Sequence, residues 1–142
     1  MRQHSISLRK KLALSALIAG AFAVPQTTQA ADYSWTGLTD SVWATTTNWG
    51  TDIVPTATDR AVFDAVYTNQ PDAGVTSVLG ILLTAGATSP ITVTSGVGTG
   101  LTIGTSGIDM TAAVANLTLG AAATNIFSVV GNQTWGVDPR RC

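Results

Sequence analysis

Between residues 91 and 119 the chain reads Ile91-Thr-Val93-Thr-Ser-Gly-Val-Gly-Thr-Gly100-Leu101-Thr-Ile103-Gly-Thr-Ser-Gly107-Ile108-Asp-Met110-Thr-Ala-Ala-Val-Ala-Asn-Leu117-Thr-Leu119. Apolar residues alternate with threonine in short bursts, and glycine-rich clusters separate them. A burst of this kind makes a short strand with one buried face and one hydroxyl-bearing face. Threonine is β-branched and suits that pleat. The pattern extends both ways: Ile81-Leu-Leu83 lies before it, and Ile126-Phe-Ser-Val129 and Trp135-Gly-Val137 lie after it. Taken from their first residues, the bursts are spaced 10, 10, 7, 9, 9 and 9 residues apart. The intervening clusters, Gly86–Pro90, Ser95–Gly100, Gly104–Gly107, Gly120 and Gly131-Asn132, read as turns in which glycine supplies positive φ. Asp109–Val114 is the best helical candidate, and it is short.

Short strands at this spacing fit two all-β architectures. One is a right-handed parallel β-helix, in which two or three strands make each coil. The other is an antiparallel β-sandwich. Two-residue Asn-Gly or Asp-Gly hairpin turns are missing, and the period is regular, so the solenoid is the expected fold. Residues 75–137 would then form roughly three coils, near the minimum for a stable stack.

The chain opens differently. Met1-Arg2 and Arg9-Lys10-Lys11 precede an apolar run from Leu12 to Val24, and Thr28-Gln-Ala30 follows. A basic stretch, a short apolar stretch and small residues before a cut are the order of a secretory signal. The run is shorter than the ~20 apolar residues a spanning helix needs. Cleavage is expected after Ala30, which makes 1–30 a signal peptide and leaves no membrane span. The expected location is the periplasm, the cell surface or the extracellular space. The rest divides by composition into a Trp/Asp-rich cap region (31–72), Thr/Gly-rich coils (73–137) and an irregular tail (138–142).

Removing residues 1–30 takes four of the seven basic residues and none of the eight aspartates, so three positive charges face eight negative ones and the net charge is −5. The exported part has no Lys, no Glu and no His, since the single histidine is His4, and its one cysteine is Cys142. General acid–base work needs a group that titrates near neutrality or a placed carboxylate pair. A Ser-His-Asp arrangement cannot be assembled from this chain, nor can a His/Cys zinc site. The chain is therefore read as no enzyme, with no cofactor. Arg60, Arg140 and Arg141 make no basic stripe, so no nucleic-acid partner is expected. One cysteine cannot staple the fold.

The cap region carries an ordered set: Trp35-Thr-Gly37, Trp43, Asn48-Trp49, Pro55, then Asp59-Arg-Ala61-Val-Phe63. It resembles the start of the exported region in autotransporter-associated β-strand repeat proteins, which opens W-x-G … W … N-W … P … D-x-A-x-F. Leu101-Thr-Ile-Gly104, Gly107-Ile-Asp-Met110, Ala115-Asn-Leu-Thr-Leu119 and Gln133-Thr-Trp135 resemble the first repeat that follows it, and the likeness spans about residues 32–137. It implies the N-terminal cap and first coils of an adhesin-like passenger, displayed at a bacterial surface and without catalytic residues. Family members continue through further repeats to an outer-membrane barrel or a short sorting tail. Here the rhythm stops at Val137, so a truncated gene product without a function of its own is an alternative expectation.

Trp35, Trp43 and Trp49 admit two functional readings. They are either stacking platforms of a carbohydrate-binding module or a cover for the open end of the coil. A solenoid's first coil needs an atypical cover, and large aromatics suit that task, so capping is the leading reading. The partners this allows are surface glycans, or a second copy meeting the open C-terminal coil. Asp52, Asp59 and Asp64 supply oxygen ligands but match no calcium-loop spacing, and Asp59 is expected to close a turn before a strand at Arg60–Asp64. There Val62 would face away from Ala61 and Phe63. Thr92-Val-Thr94 is the unit of ice-binding coils, but the neighbouring bursts do not repeat it. Asn116 and Asn132 fit the glycosylation pattern, which arises by chance in a Thr-rich chain.

Overall fold

The computed structural model describes residues 29–74, 76–96, 100–120 and 126–131. The predicted signal up to residue 28, Asn132, Trp135, Val137 and the tail with Cys142 lie outside these residues. Seven strands follow in chain order: β1 (Asp32–Ser34), β2 (Arg60–Phe63), β3 (Thr76–Leu83), β4 (Ile91–Val93), β5 (Gly100–Asp109), β6 (Leu117–Leu119) and β7 (Ile126–Val129). A three-residue 3-10 turn at Thr46–Asn48 is the only helical element among the described residues. No described helix is long and apolar enough to cross a membrane.

All strand pairings are parallel. Sheet one has the order β1-β2-β3-β5-β7, and sheet two consists of β4 and β6. Isolated bridges extend the second sheet toward the N terminus, from Val42 to Asp72 and from Asp72 to Thr94. The chain alternates between the two sheets as it advances, which is a parallel β-helix of about three turns. The antiparallel sandwich is excluded by this pairing. Gly100 lies beside Ile126 in one sheet and Ile91 beside Leu117 in the other, so both sheets advance one coil in 26 residues. The nine-residue rhythm is therefore about a third of a coil.

The inner face is aliphatic. Val78, Ile81, Leu83, Ile91, Val93, Leu101, Ile103 and Ile108 are all buried, and they form one core with Ala61, Phe63 and the three tryptophans. β1 and β2 lie within the cap region, yet they are the first two strands of the long sheet.

Two local expectations are corrected. Gly104–Gly107 is not a turn between two strands but part of β5. The register against β3 shifts there: Val78 lies beside Ile103, and Gly80 beside Gly107. Extra residues on one strand of a pair make a bulge, which bends the ladder without ending it. Gly80 permits the close approach, since a Cβ there would sit 2.8 Å from the Gly107 carbonyl oxygen and 2.8 Å from Ser106 Cβ. Asp109–Val114 is not helical: Asp109 ends β5 and a turn follows. Val62 is buried but lies outside the core cluster that holds Ala61 and Phe63, as expected of a residue facing away from them.

Candidate functional site

Trp35 directly follows β1, and its N–H donates to the Val62 carbonyl at 2.9 Å. The chain then leaves the sheet, loops through Trp43, and returns so that Trp49 bridges Trp35 in antiparallel fashion. This loop brings the three indoles together. Trp35 and Trp43 stack with centroids 6.2 Å apart. Trp49 meets Trp35 edge-on at 5.1 Å and Trp43 at 4.8 Å. Trp43 then meets Phe63 at 6.5 Å, and Phe63 meets Tyr67 at 6.2 Å. Offset and edge-to-face contacts at these separations are the favoured aromatic geometries. The cluster thus runs from the β1 end of the coil into its core.

Each of the three indoles is only 1% exposed. A sugar-stacking platform needs an open ring face, and none of these rings offers one. The structure brings together all three predicted residues, but buries them as packing.

Polar groups hold the loop in place. Asn48 is completely buried. Its Oδ1 accepts from the Thr39 and Asp40 N–H groups at 2.9 and 3.1 Å. Its Nδ2 donates to Asp40 Oδ1 at 2.6 Å and to the Val42 carbonyl at 2.9 Å. That uses every donor and both lone-pair directions of the amide. The Asn48 carbonyl also accepts from Thr36 and Gly37. Asn69 ties the cluster to the chain after β2: its carbonyl accepts from Trp35 Nε1 at 3.0 Å, and its Nδ2 donates to the Gly37 carbonyl at 2.7 Å. Gly37 sits at φ +58°, and a Cβ there would lie 2.7 Å from the Asn69 carbonyl oxygen. The Trp-x-Gly spacing thus has a steric cause. Trp49 Nε1 donates to the Trp43 carbonyl at 2.8 Å. Trp43 Nε1 is buried without a partner.

The ionisable groups are held by short local bonds. Tyr67 hydroxyl accepts from the Asp64 and Ala65 N–H groups and donates to Asp64 Oδ1. Burial pushes the phenol up to about 12. Asp64 Oδ2 accepts from Ser34 Oγ at 2.7 Å, which links β1 to the end of β2. The Val42 N–H, then the Asn48 amide, hold the Asp40 carboxyl below its usual range. The Thr56 hydroxyl does the same for Asp59, and the Thr111 N–H and hydroxyl for Asp109. The Asp32 carboxylate raises Arg60, through a bidentate pair at 2.7 and 2.6 Å. These shifts hold the carboxylates ionised and the phenol and guanidinium protonated at neutral pH, so none moves a group toward neutrality.

The predicted calcium candidates separate into different tasks. Asp59 closes the Thr56–Asp59 turn, Asp64 serves Ser34 and Tyr67, and Asp52 holds a left-handed backbone at φ +56°. Among the described residues no three acidic, His or Cys side chains are grouped to hold a metal. Thr92 lies over Thr118 on the next coil, but Thr94 comes opposite Gly120 by the same register and bonds the Pro71 carbonyl instead. The Asn116 carbonyl accepts from Ile91 N–H.

Sequence reasoning missed Asn69, Tyr67 and Gln70, whose Oε1 accepts from Thr92 N–H, and it quoted Asn48 only within the motif. A polar residue flanked by Trp and Thr was the only signal for Asn48, and it equally fits an exposed turn. No protein-family model, curated protein or solved structure matches the chain.

Proposed function

We propose that this chain is an exported, non-catalytic surface or structural protein, forming the cap and first coils of an adhesin-like passenger similar to the autotransporter-associated β-strand repeat proteins. One observation carries the reading: a parallel coil meets, at its β1 end, three mutually packed indoles that are 1% exposed each. A solenoid's end coil needs a cover, and this one is built from the residues that carry the resemblance. The carboxylates near the cluster are spent on turns rather than converging on a cleft. The test is expression of the full chain in a Gram-negative host, followed by fractionation and protease treatment of intact cells. Processed protein outside the inner membrane and open to added protease is the expected result. Unprocessed chain in the cytoplasm would refute it. Tryptophan emission that stays blue-shifted and unquenched across soluble glycans is expected as well; quenching by a glycan would restore the carbohydrate-binding alternative.

A further inference from the structure

Asp32 lies beside Arg60 in the parallel register of β1 and β2, which places Ala31 beside Asp59. Both backbones are tied into the sheet. The Ala31 carbonyl accepts from the Arg60 N–H at 2.8 Å, and the Asp59 carbonyl accepts from the Leu79 N–H at 2.8 Å. The Asp59 carboxylate is fixed too. The Thr56 N–H and hydroxyl both donate to its Oδ2, at 3.1 and 2.5 Å, which leaves Oδ1 uncommitted by that turn. After the Thr56 hydroxyl and N–H, the Ala31 backbone N–H is the next group that lowers the Asp59 carboxyl.

Ala31 is also the residue that export processing would make the first of the mature chain. Hydrolysis of the Ala30–Ala31 amide by a peptidase of the export machinery adds water across the C–N bond. Ala30 leaves as a carboxylate, and Ala31 keeps the nitrogen as an ammonium at neutral pH. We propose that the Asp59 carboxylate is the receptor for the α-ammonium of Ala31, so that removal of residues 1–30 turns a neutral donor into a charged one and clamps β1 onto β2. A charge-assisted hydrogen bond is roughly twice as strong as a neutral one. The strand that gains it is an edge strand of the long sheet, paired on one side only.

The charged surroundings agree. Asp32 on the same strand is engaged by Arg60, and Asp109 on β5 acts on Arg60 from the other side. Asp59 is left as the charge beside residue 31. The inference rests on the export reading, and the two fail separately.

The exported part contains no lysine, so its α-amino group is the only amine. Its titration is read without assignment, from the pH dependence of reaction with an amine-specific acylating reagent. The sample is processed protein purified from cells that express the full chain, with its first residue fixed by intact mass. In the native protein the α-amine should titrate about one unit above its ordinary range of roughly 7.7–8.0. The Asp59 Cγ resonance should report the same midpoint. The shift should vanish in urea and in Asp59→Asn, whose amide oxygen still accepts from Thr56. A mass that retains Met1 overturns the export reading, and a processed mass that begins at a residue other than Ala31 overturns the ion pair while export stands. A mass that begins at Ala31, with an α-amine that titrates alike in native and urea-unfolded protein or an Asp59 Cγ that ignores the titration, overturns the ion pair alone. The Cγ readout decides the matter even if Asp59→Asn does not fold.

Discussion

Trp43 and Trp49 differ by one hydrogen bond, and that difference is measurable. Both indoles are buried, but Trp49 Nε1 has the Trp43 carbonyl while Trp43 Nε1 has nothing. Replacement by Phe removes similar volume at both positions. Only at position 49 does it also strand a buried carbonyl, at about 1–3 kcal/mol. Trp43→Phe is therefore expected to cost less than Trp49→Phe by about that amount in urea unfolding. Trp49→Ala should cost about 3–5 kcal/mol, a large share of the roughly 5–15 kcal/mol that a domain has. Asn48→Ala is expected to destabilise as well, since it takes the acceptor from the Thr39 and Asp40 N–H groups, at about 1–3 kcal/mol for each donor left unpaired, while the Val42 carbonyl keeps the Thr45 N–H. Tyr67 supplies a check at high pH. Its folded value lies above the unfolded one, so the neutral phenol's contribution is present below about 10 and lost as pH rises toward about 12. Absorbance at about 295 nm should show a phenolate that forms together with unfolding, at a cost of about 2–3 kcal/mol across that window.

At the level of elements, the bulge of β5 and the aspartate turns are where single substitutions should tell. Gly80→Ala places a methyl group against the Gly107 carbonyl and Ser106. Overpacking of this kind costs about 1–3 kcal/mol, and the effect should appear as faster exchange of the β3 and β5 amides. The aspartate turns predict the acid limb of stability. Asp59 and Asp109 are both lowered from 3.8, by Thr56 and Thr111 respectively. A depressed carboxylate contributes above its unfolded value, and that contribution is lost as pH falls through the folded one. Stability should therefore be flat from neutrality to about 4 and fall below it. Thr56→Val should flatten the fall by removing the donor that depresses Asp59.

Across the whole molecule the two ends of the long sheet are finished differently. At the β1 end the aromatic loop folds over and buries its rings. At the β7 end Ile126, Val129 and Val130 stay 50%, 46% and 49% exposed. Burying a side chain of this size is worth about 1.5–3 kcal/mol, and a parallel strand edge is a ready template for another chain. Self-association through β7 is the expected consequence. Sedimentation should show a concentration-dependent species that Val129→Lys reduces, with the β-sheet circular dichroism kept. A concentration-independent monomer with β7 amides protected from exchange would count against an open edge.

The sequence by itself determined the class of the fold. Apolar-Thr-apolar bursts at nine-residue spacing need one buried face, and their glycine clusters allow corners but not hairpins, so a parallel coil was legible from Ile91 to Leu119. The three tryptophans were legible as a set from their ordered spacing at 35, 43 and 49. Only the tertiary structure decided that Leu101–Ile103 and Ile108–Asp109 share one strand, because continuity depends on β3 offering Gly80 at the bulge. It alone decided that the indoles face one another rather than solvent, since ring orientation follows from the path of the loop that Asn48 and Asn69 fix through contacts 6 to 32 residues away in sequence. The placement of Ala31 beside Asp59 is of the same kind. Register between strands 28 residues apart is set by packing of the whole sheet, and no local pattern encodes it.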